Sequence, residues 1–149
     1  MTAFQIPPYS LRIDEGRRVQ SIGLSVRVMA SAIQTGGAFN LFDVLCPIGF
    51  ATPLHIHYAE DVAVLVLEGA LTFFWGDEKN DAVVGSYFFH PKGTPHGFRV
   101  EGETPARILY LTIPAGLDGF VIEQATTSDL DCTRNAARYK IEILGPLPT

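Results

Sequence analysis

The chain has no long hydrophobic run. Its longest uninterrupted apolar stretch, in the middle of the sequence, covers residues 62–67, whereas about 20 apolar residues are needed to span a bilayer. The first twenty residues contain prolines and charges where a signal peptide has an apolar segment. We therefore expect a cytoplasmic protein with no membrane partner.

Cysteine and basic residues are also scarce. Cys46 and Cys132 lie far apart and form no Cys-x-x-Cys pattern, so we expect both to be reduced and buried. Charged residues make up 18 % of the chain and the net charge is −5. Because a negative chain without a basic cluster is a poor candidate for nucleic-acid recognition, we expect no nucleic-acid partner.

What the sequence does contain is a regular series of turns. The 149 residues are enough for one domain, 1–149, and the 14 glycines and 10 prolines are spread along it. The segments between the turns favour β-strands, and residues 76–80 favour a polar turn. The predicted strands cover residues 21–33, 38–45, 62–67, 70–75, 85–90, 97–100 and 106–113.

This spacing is typical of an all-β sandwich or barrel, with a barrel core at about residues 20–115. One stretch favours a helix, at about residues 128–140, and Ser128 or Asp129 could cap its start. The predicted fold is therefore all-β with a short C-terminal helix.

The four histidines are His55, His57, His90 and His96, and the first two form a His-x-His pair. On a strand, residues i and i+2 face the same side, so both imidazoles can address one metal ion. The alternative is that they are ordinary surface or core histidines.

The histidines stand in a wider pattern of glycines and proline. Gly49-x5-His55-x-His57 is followed by Gly69, and then by Gly85-x5-Pro91-x-Gly93-x2-His96. This pattern resembles the two sequence motifs of the cupin superfamily, small jelly-roll β-barrels. The chain is similar to the single-domain bacterial cupins of the quercetin-dioxygenase-like type.

The resemblance implies that His55, His57 and His96 are metal ligands. The family's fourth ligand, a glutamate, is replaced by Val62, while Glu60 and Asp61 stand just before it. Three histidines suffice for a catalytic metal, and some cupin dioxygenases resemble this arrangement. Iron is the expected metal, with Zn, Ni, Mn or Cu as alternatives. Without the glutamate, the centre would keep a larger positive charge and favour an anionic bidentate substrate.

His90 and a set of apolar residues are the remaining site candidates. His90 could be a fourth ligand, a proton-transfer group near the metal, or a surface histidine. An apolar wall could line a substrate pocket or simply fill the barrel. Trp75 is expected to belong to the core. Arg99 and Arg107 are expected to be solvated. The wall consists of Val62, Phe88 (or Phe89), Phe98 and Tyr110.

Three functions remain open from the sequence. The first is a metal-dependent dioxygenase acting on a small enolisable or aromatic substrate, such as a flavonol, diketone or catechol. The second is a binding cupin without catalysis, and the third is a metal-independent isomerase or cyclase using His55, His90 or His96. Cupins of this type resemble dimers joined through N-terminal strands, so residues 4–9, apolar and Pro-rich, predict a homodimer.

Overall fold

Two antiparallel β-sheets face each other in a computed structural model that describes residues 5–127 and 132–149. The six-stranded sheet contains, in spatial order, β1 (Arg17–Ser21), β2 (Leu24–Ala30), β3 (Asn40–Cys46), β10 (Ala106–Ile113), β5 (Asp61–Glu68) and β8 (Tyr87–His90). The five-stranded sheet contains β11 (Ile141–Gly145), β4 (Leu54–His57), β9 (His96–Glu101), β6 (Ala70–Trp75) and β7 (Glu78–Ala82). The predicted all-β class and jelly-roll architecture are confirmed.

The core lies between the two sheets and follows the alternation of the strands. In β5, Val62, Val64 and Val66 are almost completely buried, whereas Leu65 on the other face is 36 % exposed. In β8 the same alternation buries Phe88 and His90 and exposes Tyr87 and Phe89. Side chains two residues apart therefore point into the same interior, which positions the histidines described below.

The turn between β5 and β6 requires a glycine. Gly69 has a positive φ of 83°, and a Cβ atom there would lie 2.6 Å from the Pro105 carbonyl oxygen. A side chain at this position would clash with the backbone that leads into β10.

Three helices accompany the sheets in the described residues. Helix α1 (Ala32–Thr35) begins at a capping box of Ser31 and Gln34. Helix α2 (Leu117–Thr126) was not predicted, and it buries Leu117, Phe120 and Val121 against the core. Helix α3 (Thr133–Arg138) lies inside the predicted C-terminal helical segment, while the predicted caps Ser128 and Asp129 lie outside the described residues.

The start of α2 is held by a residue from a distant strand. Asn40 of β3 is completely buried, and its side-chain oxygen accepts hydrogen bonds from the backbone N–H groups of Gly116 and Asp118. Gly116, at the N-cap position, has no side chain that could do this. The helix is thus capped by tertiary structure.

Other boundaries also differ from the prediction. The expected polar turn at residues 76–80 is shorter, because β7 begins at Glu78 and pairs with β6 as the edge strand of its sheet. The expected strand at residues 21–33 is divided by a turn at Ile22 and Gly23, and α1 begins near its end. No helix among the described residues combines the length and the hydrophobicity that crossing a membrane requires.

Candidate metal centre

Three histidines from neighbouring strands come together inside the molecule. His55 and His57 project from β4, and His96 opens β9 as the register partner of His55. One ligand atom from each lies within 4.8 Å of the others. The ring centroids are 4.5 Å apart for His55 and His96 and 5.3 Å apart for His57 and His96. These three side chains could hold a metal ion.

The Nδ1 atom of each ring is engaged by an oxygen atom. His55 Nδ1 lies 2.7 Å from the Pro53 carbonyl oxygen, and His96 Nδ1 lies 2.8 Å from that of Thr94. Because carbonyl oxygens only accept, these two Nδ1 atoms carry the protons and donate them. The Nε2 atoms of His55 and His96 therefore have free lone pairs, as a metal ligand needs.

Burial keeps these rings neutral. It lowers the pKa of His55 to about 4, with the neighbouring His57 adding to the effect. It lowers the pKa of His96 to about 2, with His55 as the second cause. His96 Nε2 is also buried without a hydrogen-bond partner in the described part of the chain. Neutral imidazoles with an unpartnered buried nitrogen fit a transition-metal ion.

A buried carboxylate stands behind His57. Glu60 Oε1 lies 2.7 Å from His57 Nδ1, and both residues are 4 % exposed. Glu60 is therefore not part of the three-histidine group but acts on one member of it. The other acidic candidate, Asp61, accepts a hydrogen bond from the backbone N–H of Lys92. The loss of the ligand glutamate led us to expect a centre with a larger positive charge, and the Glu60 carboxylate beside His57 reduces that charge.

His90 lies in the interior beside the three-histidine group but is not one of its members. Its ring stacks on that of His96, with centroids 4.4 Å apart and planes at 11°. Trp75 Nε1–H donates a hydrogen bond of 2.6 Å to His90 Nδ1. Burial, followed by the charge of His57, lowers the pKa of His90 to about 4. The surface alternative for His90 is thereby excluded.

A cavity of about 560 Å³ extends from the histidines between the sheets and under α2 and α3. Phe98 and Tyr110, both expected in a pocket wall, line it, and the Tyr110 hydroxyl lies 3.4 Å from His57 Nε2. Val62 and Phe88 are buried in the core cluster and are not among the described residues that line the cavity. Burial, followed by the charge of Glu60, raises the pKa of Tyr110.

The described part of the cavity wall is mainly apolar. Among the described residues, no Lys, Arg, Asp or Glu lines it, and Phe42, Phe50, Phe73 and Phe120 supply much of its surface. The four histidines line it, and its other polar side chains include Ser21, Thr52 and Gln124. Such a cavity suits a largely apolar molecule that carries a few polar atoms.

The two arginines lie outside the cavity. Arg99 is partly exposed and bonded to Glu101, as expected for a surface charge. Arg107 is not simply solvated, because it makes two hydrogen bonds to the carboxylate of Asp43, which is 1 % exposed. Cys46 is a buried thiol, as expected, whereas Cys132 is only partly buried, contrary to the expectation, and lines the cavity.

Two features that shape this region were not predicted from the sequence. Glu60 was weighed as a ligand, and its place behind His57 was not foreseen, although an acidic residue three positions after a candidate ligand was a usable signal. The contribution of α2 to the cavity through Leu117, Phe120 and Val121 was also missed. No residue next to α2 in the sequence predicts the helix, because the residue that caps it, Asn40, lies in the distant strand β3.

Comparisons with known proteins agree with this geometry. Residues 43–113 match the cupin domain family. Quercetin 2,3-dioxygenase of Bacillus subtilis is 33 % identical over 103 residues, which are 69 % of this chain and 31 % of that enzyme. The chain thus spans about a third of that relative's length.

Two solved structures show the same fold. A cupin of the RmlC-like type from Shewanella frigidimarina has a TM-score of 0.65 and 16 % identity, covering 78 % of this chain and 99 % of that one. The polyketide cyclase RemF from Streptomyces resistomycificus has a TM-score of 0.64 and 18 % identity, covering 72 % and 80 %. Residues 43–113 therefore form a cupin domain, and the chain resembles the quercetin-dioxygenase-like proteins.

Proposed function

We propose that this protein is a metal-dependent cupin dioxygenase acting on a small enolisable or aromatic substrate of the flavonol, diketone or catechol kind. The observation that carries the proposal is the convergence of three imidazoles at a cavity whose described lining includes no Lys, Arg, Asp or Glu. The similarity to a quercetin dioxygenase supports the same reaction class.

His55, His57 and His96 would hold the metal through their Nε2 atoms. When bound, a redox-active ion supplies the electron transfer that dioxygen chemistry needs, which Zn²⁺ cannot supply. Iron is therefore the proposed metal, with Ni, Mn and Cu as alternatives, because imidazole suits several of these ions.

The side chains around the centre favour a singly charged substrate head. A divalent ion with three neutral histidines and the Glu60 carboxylate leaves a local charge of about +1. An enolate or catecholate anion neutralises that charge, whereas a phosphate group would find no lysine or arginine in the described wall. The phenylalanine rings hold the apolar body of the substrate and exclude water.

The test combines metal analysis with oxygen consumption. We expect protein reconstituted with iron to retain the ion and to consume oxygen with at least one member of a panel of flavonols, β-diketones and catechols. His57→Ala and His96→Ala should lose both properties while their near-ultraviolet circular dichroism stays native. Tyr58→Phe, at an exposed residue outside the cavity, is the control. A protein that retains no transition metal after reconstitution would contradict the proposal.

A second candidate, a cyclase or isomerase without redox chemistry, is favoured by one contact. His96 Nε2 has a free lone pair, and the stacked His90 lies beside it, so the two rings offer an acceptor and a donor to one substrate. Turnover of a substrate that continues under nitrogen and after chelation would support this function. A ligand that binds without turnover would instead indicate a binding cupin.

A further inference from the structure

His90 differs from the other three histidines in the nitrogen that carries its proton. The indole N–H of Trp75 can only donate, so His90 Nδ1, 2.6 Å away, must accept. A neutral imidazole has a single N–H group, which in His90 is therefore at Nε2. In His55 and His96 the proton is at Nδ1 and the lone pair is at Nε2.

The Nε2–H group of His90 is buried and has no partner. His90 is 1 % exposed, and its Nε2 atom makes no hydrogen bond to any residue that the structure describes. Leaving a buried donor unpaired is unfavourable, because the group has lost its hydrogen bonds to water. Because His90 also lines the cavity, a ligand atom in the cavity is the natural acceptor.

The surroundings hold this ring in place. It is stacked on His96 on one side, and the ring of Phe73 lies 5.8 Å away at an angle of 26°. Trp75 contacts it edge-on, with ring centroids 6.0 Å apart. A flip of the imidazole would place its Cδ2–H group opposite the Trp75 N–H and break this hydrogen bond. A proton at Nδ1 would instead leave two donors facing each other. The ring and its tautomer are thus set by packing and by one hydrogen bond.

We propose that Trp75 and His90 form a fixed neutral hydrogen-bond donor that binds an oxygen atom of the substrate beside the three-histidine centre. His90 is then neither a metal ligand nor a base, because its Nε2 atom has no lone pair to offer. This inference rests on the proposed function only in placing an oxygen-bearing substrate in the cavity.

The donor formed by Trp75 and His90 also limits which substrates the cavity can bind. A molecule with two neighbouring oxygen atoms, such as an enolised diketone or a catecholate, can place one oxygen at the three-histidine centre and the other at His90 Nε2–H. A substrate with an N–H or NH₂ group in the second position would meet another donor. We therefore expect selection for a second oxygen over a second nitrogen, as a site built to pair one group rejects its analogue.

The first test reads the tautomer directly. Heteronuclear NMR of labelled histidine nitrogens in the zinc-loaded protein should show His90 with Nε2 protonated and Nδ1 accepting. Trp75→Phe should shift His90 towards a mixture of tautomers, and Tyr87→Phe, at an exposed position of the same strand as His90, should not. Nε2 unprotonated in the wild-type protein would overturn the inference.

The second test measures binding without turnover. Nitrocatechol titrated into the zinc-loaded protein should bind about tenfold more weakly to His90→Phe than to the wild type. Trp75→Phe should weaken it less, and His90→Gln, whose amide N–H can donate, should recover part of the loss. Zinc affinity should be unchanged in all three variants. Loss of zinc from His90→Phe, or unchanged nitrocatechol affinity, would overturn the inference.

The two proposals fail separately. If no oxygen consumption is found but the tautomer and the nitrocatechol affinities behave as described, the donor pair stands and the dioxygenase proposal falls. If oxygen is consumed but Trp75→Phe and His90→Phe alter neither the tautomer nor the binding, only the donor pair falls.

Discussion

Glu60 brings a negative charge to the metal centre without occupying a ligand position. Its carboxylate, bonded to His57 Nδ1, orients the ring and makes its Nε2 atom a stronger ligand. At the position where a cupin ligand glutamate would stand, Val62 contributes only apolar volume. In this chain the buried carboxylate lies behind His57 and not at position 62.

Replacing Glu60 by glutamine should weaken metal binding and preserve the fold. The amide oxygen can still accept the bond from His57, but the charge is gone, so we expect metal affinity to fall by about 10- to 100-fold. Competition with a chromogenic chelator measures this. Glu142→Gln, an exposed carboxylate that accepts a bond from Tyr58, is the matched control and should bind metal like the wild type. Equal affinities for both variants would refute the role of Glu60.

Some features of the site could be predicted from the sequence, and others could not. The histidine trio could be predicted because strand alternation places His55 and His57 on one face, and the motif spacing points to His96. The position of Glu60 could not, since it depends on how residues 58–60 bend after β4. The tautomer of His90 depends on Trp75, a contact across the interior between the two sheets.

At the scale of elements, a buried ion-pair cluster joins three strands. Asp43 of β3 binds Arg27 of β2 and Arg107 of β10, and Arg27 is itself 5 % exposed. Hydrogen bonding from Arg107 is the largest cause that lowers the pKa of Asp43, against the opposing effect of burial. Arg27 also donates to the carbonyl oxygens of Arg12 and Glu15, which ties the N-terminal segment to the sheet.

Asp43→Asn should destabilise the fold by about 3 kcal/mol, because it leaves the Arg27 charge buried without an anion. Since the folded pKa of Asp43 lies below its ordinary value of 3.8, its contribution is complete above that pH. It is lost as the pH falls through the folded pKa. Denaturant unfolding at neutral and acid pH measures both effects.

Glu68→Gln is the control for the ion-pair cluster. Glu68 is largely exposed and lies 3.8 Å from Arg107, so its loss should cost less than about 1 kcal/mol. A neutral-pH stability of Asp43→Asn equal to that of Glu68→Gln would contradict the argument.

Two substitutions in β5 should separate its two faces. Val62 is completely buried between its register partners His90 and Thr112, so Val62→Glu places a carboxyl group in the core and should lower the melting temperature strongly. Leu65→Glu, on the outer face, should change it little. Scanning calorimetry of both metal-free variants tests this. A loss for Val62→Glu as small as the one expected for Leu65→Glu would show that the inner face tolerates charge.

The elements that could not be predicted are those that are stabilised by contacts with other parts of the chain. Strands 70–75 and 106–113 were predicted with their observed bounds because apolar and β-branched residues mark them. Helix α2 contains Gly119 and has no capping side chain of its own, and β7 is a polar edge strand. Neither carries a local pattern that distinguishes it from a loop.

At the scale of the whole molecule, the homodimer stays a prediction. The segment before β1, described from residue 5, leaves Ile6 and Tyr9 partly exposed, while the Tyr9 hydroxyl donates to the Met29 carbonyl oxygen of β2. Residue 4, also named in that prediction, lies outside the described residues. We expect light scattering after size exclusion to give twice the chain mass of 16.3 kDa at micromolar concentration.

Ile6→Asp should shift the protein towards monomer if this segment joins two copies. Ile13→Asp, at a more exposed position nearer β1, is the control and should leave the mass unchanged. A wild-type mass of one chain would refute the dimer.

The bond between Trp75 and His90 has an optical consequence. Trp75 is the single tryptophan of the chain, and its indole reaches the three-histidine group through one ring, His90, which stacks on His96. All tryptophan emission therefore originates next to the centre. Copper, nickel or iron entering it should quench that emission, whereas zinc, which has a filled d shell, should leave most of the intensity. The protein thus carries its own fluorescent indicator of which kind of ion it has taken up.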